Sequence, residues 1–140
     1  MPPALRIDSL WKCYAAGVRG CSARVWVLRG LCLTVHAGER VAIVGGAGAG
    51  KSTLAACILG VRTPDFGRVE VAEGLEIIRE QDVGRAAGSV GRGTMLALAR
   101  DAERVRDWAD RLLLLRDGEL HATTLRQARR VAECPIATRP

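Results

Sequence analysis

Short apolar runs separated by glycine-rich turns dominate the hydrophobic pattern of the chain. Segments 5–14 and 24–35 are rich in β-forming residues and are predicted to be strands, the second one interrupted near Gly30. The run 40–44 is almost wholly apolar, which is typical of a strand buried on both faces of a parallel sheet. Further short strands are predicted at 68–71, 75–78, 94–99, 112–115 and 119–122.

Helical periodicity is confined to three short segments, 51–59, 101–110 and 124–133. Gly60 is placed to end the first of them. In the second, Asp107 and Arg111 stand at the spacing of an ion pair on one helix face. Residues 84–93 lack periodicity and are predicted to be a loop, and Asp117-Gly118 is predicted to be a tight hairpin turn. The length of 140 residues predicts a single domain over residues 1–140.

The loop after segment 40–44 fits the phosphate-binding pattern G-x-x-x-x-G-K-[ST], known as Walker A. Its glycines let backbone N–H groups converge on a phosphate, and the following helix presents its positive end to the same point. We expect Lys51 to bind the β- and γ-phosphates and the Ser52 hydroxyl to coordinate Mg²⁺. The predicted nucleotide-binding residues are Gly45, Gly46, Ala47, Gly48, Ala49, Gly50, Lys51, Ser52 and Thr53.

Composition narrows the remaining possibilities. The chain has 140 residues, of which 49% are hydrophobic, and a formal net charge of +6. Its arginines are scattered, which favours a solvated surface over a nucleic-acid patch. The cysteines form no zinc-type pattern, so reduced thiols in a cytoplasmic protein are expected. Because no stretch approaches 18 uncharged apolar residues, any membrane role is expected to require a partner chain.

The segment around the phosphate loop resembles the nucleotide-binding domain of ABC-type ATPases. The resemblance covers about residues 5–122 and leaves 123–140 as a C-terminal tail. It implies an α/β fold, with a P-loop NTPase core around a central parallel sheet and an N-terminal antiparallel β portion, and binding of ATP with Mg²⁺. It rests on the segments 27–31, 35–44, 59–60, 64–69 and 109–120.

Two side chains outside the loop take roles from this resemblance. Tyr14 stands where such domains carry an aromatic ring that stacks on adenine. Gln81 stands where the family has its Q-loop glutamine, which contacts magnesium and senses the transmembrane partner. The resemblance therefore implies Tyr14 as a nucleotide ligand and Gln81, with Ser52, as a metal ligand.

One large departure from the family lies after Gln81. The family has a helical subdomain there, followed by the LSGGQ signature and a Walker B strand that ends in an aspartate and a catalytic glutamate. Here only the twelve residues 82–93 separate Gln81 from the next predicted strand, and none of these features is found. Arg100 stands where the family has its switch histidine. We therefore expect ATP binding with weak or absent hydrolysis.

Three other residues are candidates to replace the missing carboxylates and the switch histidine. Asp82 or Asp101 could approach the metal or the attacking water, and Arg100 could contact the γ-phosphate, although surface placement is favoured for each. His36 and His121 have no carboxylate at a readable spacing, so both are interpreted as surface histidines.

Loss of the Walker B strand also has an expected structural consequence. The strand 94–99 would lie beside the phosphate-loop strand, 112–115 on the other side, and a three-stranded parallel centre would remain. The exposed apolar edge would then favour self-association. The leading hypothesis is a cytoplasmic ATP-binding subunit held at the inner face of a membrane by a permease or a second cassette. The alternatives are an active ATPase completed by a partner chain, a small P-loop kinase, and a non-functional remnant.

Overall fold

Two β-sheets and one α-helix make up the part of the chain that the computed structural model describes, residues 3–16, 23–46, 48–79 and 93–122. In chain order the elements are β1 (Leu5–Ala16), β2 (Ala23–Val35), β3 (Arg40–Val44), α1 (Lys51–Ile58), β4 (Phe66–Val71), β5 (Leu75–Arg79), β6 (Thr94–Ala99), β7 (Arg111–Arg116) and β8 (Glu119–Ala122). No helix within the described ranges has the length and apolar character needed to cross a bilayer.

The first sheet is antiparallel and has the strand order β2-β1-β4. Leu5 of β1 pairs with Val35 on one side and with Val71 on the other. The β1–β2 ladder contains register shifts, and β2 continues through Gly30, which has a φ of +63°. The predicted interruption near Gly30 is therefore an irregularity within one strand.

The second sheet has the strand order β5-β6-β3-β7-β8. Its first four strands are parallel, and β8 returns antiparallel to β7 through the turn at Asp117-Gly118. Both turn residues have positive φ, 52° and 78°, which confirms the tight hairpin turn. The predicted α/β fold, with a central parallel sheet and an N-terminal antiparallel portion, is confirmed.

The alternation of side chains along β3 divides the core into two layers. Val41 and Ile43 face the antiparallel sheet and α1, in a cluster with Leu54, Leu96 and Leu115. Ala42 and Val44 face the opposite side, where Met95, Ala102, Val105 and Trp108 cover them. Because both faces of β3 are covered, all its positions from Val41 onward are buried, as the apolar run predicted.

The expected arrangement around the shortened part of the sheet is partly wrong. β6 does lie beside β3, and β7 lies on the other side of β3. The second edge of β6 is not bare, however, because β5 pairs with it in parallel from Leu75↔Thr94 to Arg79↔Leu98. Four parallel strands therefore form the centre instead of three. The apolar edge that motivated self-association is covered by β5, and self-association itself stays a prediction.

The helix predicted at 101–110 is wrong as a regular helix. Only Ala102–Arg104 form a 3-10 turn, and further turns lead to Trp108. The chain is drawn away from a helical path at Asp110, whose N–H donates to the Arg40 carbonyl and whose carboxylate accepts from the Arg40 N–H. The buried face nevertheless forms, since Ala102, Val105 and Trp108 pack against the sheet.

The ion pair predicted between Asp107 and Arg111 is also wrong. Arg111 is the first residue of β7, and its Nε lies 2.9 Å from Glu39 Oε1. The Nε–H lacks the alignment of a hydrogen bond, so the contact is an ion pair. Asp107 instead pairs with Arg106 at 3.4 Å. Because Arg111 begins a strand, its side chain points toward Glu39 in the turn before β3. In a helix it would have pointed back toward Asp107.

Several strand boundaries differ slightly from the prediction, and some predictions cannot be compared. β4 begins at Phe66, two residues before the predicted start, because Gly67 adopts a φ of +91° within the strand. β1 continues to Ala16. The loop residues up to 92 and the helix predicted at 124–133 lie outside the described residues.

Candidate functional site

The phosphate-binding loop leaves β3 at Gly45 and enters α1 at Lys51. The Gly45 N–H donates to the Ala99 carbonyl at 3.1 Å, which holds the loop against the carboxyl end of β6. A Cβ at position 45 would stand 3.0 Å from the Ala49 Cβ and the Leu115 carbonyl oxygen. A side chain at position 45 would therefore require Ala49 or Leu115 to shift by a few tenths of an ångström.

Gly50 turns the chain into α1 with a φ of +106°, and no side chain caps the helix there. The first turn of α1 carries no acidic residue either. The amino end of α1 thus keeps backbone N–H groups and the positive end of its dipole without a compensating side chain. This arrangement suits an anion placed at the mouth of the loop.

Lys51 and Ser52 are the side chains that the loop contributes to a solvent-filled cleft. The Lys51 Nζ donates to the Gly45 carbonyl at 2.6 Å, so the ammonium group lies over the loop that is expected to hold phosphate. Ser52 is exposed, and Thr53 is half-buried. Gly45, Gly46, Gly48, Ala49 and Gly50 form the described backbone of the loop, and Ala47 lies outside the described residues.

The cleft has a volume of about 710 Å³ and lies between α1 and the carboxyl ends of β5 and β6. Its walls are largely aliphatic, and its described polar side chains are Lys51, Ser52, Arg79 and Arg100. This volume lies within the range of small-molecule sites. The apolar lining consists of Ala55, Ala56, Leu59, Val61, Ile77, Ile78 and Leu98.

Tyr14 lies apart from this cleft, on β1, opposite Val25. Its ring is half-buried, and two cations approach it: the Lys12 Nζ and the Arg62 Cζ each lie 5.7 Å from the ring centroid. Contacts of this kind are favourable cation–π interactions. Any base that stacks on Tyr14 would therefore also meet positive charge from the segment that follows α1.

Asp65 fastens this segment to β1. Its Oδ2 accepts the Cys13 N–H at 2.7 Å and lies 3.7 Å from the Lys12 Nζ. The hydrogen bond from Cys13 lowers the pKa of the Asp65 carboxyl, and the positive charge of Lys12 adds to the effect. The Lys12 Nζ also donates to the Thr63 carbonyl at 2.8 Å, so the strand that carries Tyr14 is tied to the segment that follows α1.

The described side chains near the loop offer few oxygen ligands for magnesium. Ser52 offers one hydroxyl oxygen, and Gln81 lies outside the described residues. The described residues that line the cleft include no carboxylate, and no group of three or more metal-binding side chains occurs among the described residues. Since protein sites for Mg²⁺ commonly supply one or two carboxylates, the described donor set does not by itself fit the ion.

The other residues considered for chemistry have structural contacts. The Asp101 Oδ1 accepts the Glu103 N–H at 2.9 Å and caps the short 3-10 turn. The His36 N–H donates to Glu39 Oε2, and His121 lies on β8 beside Glu119 at 3.7 Å. Both histidines are exposed, as predicted. Asp82 lies outside the described residues.

Comparison with known proteins decides the family. The family model described as ABC transporter matches residues 28–127, which is well over half of the chain. This chain belongs to the ABC transporter family of ATP-binding domains. The match includes the phosphate loop and the whole parallel sheet, from β3 to β8.

Individual ABC relatives match parts of the chain. The lipoprotein-releasing system ATP-binding protein LolD of Ruegeria sp. (strain TM1040) is 46% identical over 90 residues, 57% of this chain and 38% of that protein. The phosphonates import ATP-binding protein PhnC 1 of Rhodopseudomonas palustris (strain BisB18) is 42% identical over 69 residues, 49% of this chain and 23% of that protein. The chain thus spans well under half of the length of these relatives.

Solved structures of the family share the fold. cbiO1 from Clostridium perfringens, part of the ABC transporter complex cbiONQ, superposes with a TM-score of 0.66 at 14% identity, covering 97% of this chain and 93% of that one. A bacterial Atm1-family ABC exporter with ATP bound gives 0.68 at 18% identity, covering 97% of this chain and 42% of that one. At these identities the likeness concerns the fold alone.

Sequence reasoning missed two arginines. Arg79 ends β5 and lines the cleft, and Arg62 follows α1 and contacts the Tyr14 ring. A signal for Arg79 was present, because side chains at the carboxyl ends of neighbouring parallel strands collect at one edge of a sheet. Arg62 carried no such signal, since its contact with Tyr14 depends on how the first sheet packs against α1.

Proposed function

We propose that this chain is an ATP-binding subunit of an ABC transporter that binds ATP through the loop from Gly45 to Thr53 and hydrolyses it slowly or not at all. The observation that carries the proposal is the position of Lys51, whose ammonium group lies over the loop at the amino end of α1. Glycines with positive φ, no side-chain cap and a lysine at this point favour a polyphosphate anion.

The remaining ligands come from the family resemblance, and Tyr14 lies outside the cleft that Lys51 and Ser52 line. The Ser52 hydroxyl and Gln81 would approach Mg²⁺, and Tyr14, near the cations of Lys12 and Arg62, would stack on adenine. When bound, magnesium would neutralise charge on the β- and γ-phosphates. Weak hydrolysis is supported by the absence of a carboxylate among the described residues of the cleft, since turnover needs a group that positions water.

The cellular setting belongs to the same proposal. The relatives are named as ATP-binding proteins of a lipoprotein-releasing system and of phosphonate import. We accordingly expect a cytoplasmic protein that works beside a membrane permease or a second ATP-binding cassette.

The test is a titration with a fluorescent ATP analogue in the presence of magnesium. Lys51→Ala should weaken binding tenfold or more, equivalent to about 1.4 kcal/mol. Lys51→Gln keeps a donor for the Gly45 carbonyl while losing the charge, and should weaken binding to a similar extent. Arg68→Ala is the matched control, because Arg68 is an exposed cation on β4, paired with Glu70 outside the cleft.

The outcomes separate the alternatives. Saturable binding that depends on Lys51 but not on Arg68 would support the proposal. Absence of binding in a protein that unfolds cooperatively would overturn it and favour a remnant. Phosphate release that Lys51→Ala abolishes would show that the chain is a working ATPase, and the claim of slow hydrolysis would then be wrong.

A further inference from the structure

The cleft beside the phosphate loop has an unusual charge balance. Three cationic side chains line it, Lys51, Arg79 and Arg100, and the described lining residues include no carboxylate to oppose them. Walls of aliphatic residues surround these charges. A pocket with low-dielectric walls and charge of one sign concentrates the opposite ion, so this cleft attracts anions.

The three cations line one cleft because β3, β5 and β6 are parallel, so that β5, β6 and the phosphate loop after β3 all end at the same edge of the sheet. Arg100 follows Ala99, whose carbonyl accepts the Gly45 N–H at 3.1 Å. The Gly45 carbonyl in turn accepts a hydrogen bond from the Lys51 Nζ at 2.6 Å. The backbone of the loop therefore links the Lys51 ammonium group to the end of β6, one residue before Arg100.

Arg79 reaches the same edge from β5. It is the last residue of that strand and pairs in register with Leu98 of β6, two residues before Arg100. Both arginines are exposed, and neither forms an ion pair with another residue in the described ranges. Guanidinium groups bind phosphate through two parallel N–H···O bonds, so both are suited to a phosphate that enters beyond the loop.

We propose that Arg79 and Arg100 bind the terminal phosphate of the nucleotide and supply there the positive charge that Mg²⁺ supplies in a carboxylate-containing site. Two guanidinium groups carry the same charge as one divalent ion, and the described donors do not fit that ion by themselves. The chain therefore binds a triphosphate in preference to a diphosphate even without magnesium. This inference rests on the proposed ATP site and identifies how that site selects the γ-phosphate.

The experiment measures the affinities for ATP and ADP by competition with the fluorescent analogue, first in EDTA and then with magnesium. In EDTA the wild type should bind ATP at least tenfold more tightly than ADP. Arg79→Ala and Arg100→Ala should each weaken ATP binding about tenfold, equivalent to about 1.4 kcal/mol, and leave ADP binding within about twofold. Arg68→Ala should change neither affinity, because its side chain lies outside the cleft.

Failure of this inference is distinguishable from failure of the proposed function. If ATP and ADP bind equally in EDTA, or if both arginine variants keep the wild-type preference, the inference is wrong while ATP binding stands. If ATP does not bind with or without magnesium, the proposed function fails. Lys51→Ala is the internal reference, since it should weaken both nucleotides.

A wild-type measurement guards against variants that do not fold. Binding that uses two additional charge contacts weakens more steeply with salt, because added ions screen exposed charges. In EDTA, ATP affinity should therefore fall with potassium chloride concentration more steeply than ADP affinity. Parallel salt dependences for the two nucleotides would overturn the role of the arginines without any substitution.

Discussion

Replacing Gly67 with alanine should destabilise the protein far more than the same change at Gly74. The two glycines have almost the same φ, +91° and +93°. A Cβ at position 67 would stand 2.1 Å from the Ser9 carbonyl oxygen and 2.6 Å from that of Asp8, whereas nothing lies within 4 Å of a Cβ at position 74. Gly74→Ala is therefore a matched control for conformational cost alone.

The magnitude follows from the two contributions. A left-handed backbone costs an L-residue about 1–2 kcal/mol, which applies to both variants. An unstrained carbon–oxygen contact needs about 3.3 Å, so β4 must move away from β1 by about 1 Å at Gly67. The ladder pairs that flank this point, Asp8↔Arg68 and Trp11↔Phe66, would open. At about 1 kcal/mol for each lost bond, the free energy of unfolding should fall by about 3–4 kcal/mol in Gly67→Ala.

Urea denaturation followed by tryptophan fluorescence measures both variants under identical conditions. Trp11 and Trp26 form an edge-to-face pair with centroids 5.4 Å apart, and Trp26 also contacts Phe66 of β4, so the signal reports on the affected strands. We expect the two variants to differ by about 2 kcal/mol at equal slope. If they agree within about 0.5 kcal/mol, the close approach of β4 to Ser9 does not limit the choice of residue at position 67.

Two further predictions concern titratable groups. The hydrogen bond from Cys13 lowers the pKa of Asp65 relative to the unfolded chain, so its stabilising contribution is complete above the unfolded pKa and is lost as pH falls through the folded pKa. Urea midpoints of the wild type should consequently drop on acidification more than those of Asp65→Asn, and parallel curves would contradict this. Burial raises the pKa of the Cys57 thiol, so iodoacetamide should alkylate exposed Cys32 well before Cys57 in the native protein, as mass spectrometry over time would show; simultaneous labelling would argue against the buried position of Cys57.

The parts of the fold that the sequence predicted well are those in which local pattern and tertiary burial demand the same residues. β3 and β6 were predicted with the observed bounds, because a strand covered on both faces must be apolar throughout. The turn at Asp117-Gly118 was also readable, since two consecutive positive φ angles require residues of this kind. In each case the signal lies within a few neighbouring residues.

The parts that failed depend on contacts between distant residues. Periodicity in 101–110 requires only that Ala102, Val105 and Ala109 share an inward face. A 3-10 turn followed by further turns also buries Ala102 and Val105, and it adds Trp108 to the cluster, with Ala109 packed against it. What ends the helical path is the double contact of Asp110 with Arg40, which lies 70 residues away. No sequence pattern within 101–110 predicts a contact with a residue so far away in the chain. The pairing of β5 with β6 is also a contact between segments that are separate in the sequence, and no pattern in the residues between them predicts it.

The same distinction between local patterns and contacts of distant residues applies to the candidate site. The phosphate loop is a contiguous motif, so its residues could be named from the sequence alone, and Lys51 and Ser52 do share one cleft. Arg79 carried only the general signal of a residue at a strand end, and its place at the cleft depends on β5 lying directly beside β6. The adenine-stacking role of Tyr14 came from family resemblance, and the two cations at its ring came from neither pattern nor resemblance.

The pairing of β5 with β6 bears on the proposed slow or absent hydrolysis, because β5 lies where the expected Walker B strand is not found. The phosphate loop is held to β6 by the hydrogen bond from Gly45 to the Ala99 carbonyl, and on its other side Gly45 lies close to Leu115 of β7. Both strands are present, so loss of a strand beyond β6 leaves the loop intact. On the far side of β6, the vacated position is taken by a strand that ends in Arg79. A γ-phosphate bound as proposed would then meet this cation. A cation stabilises a bound triphosphate but cannot accept a proton from water, so the proposed arrangement would favour nucleotide binding over turnover.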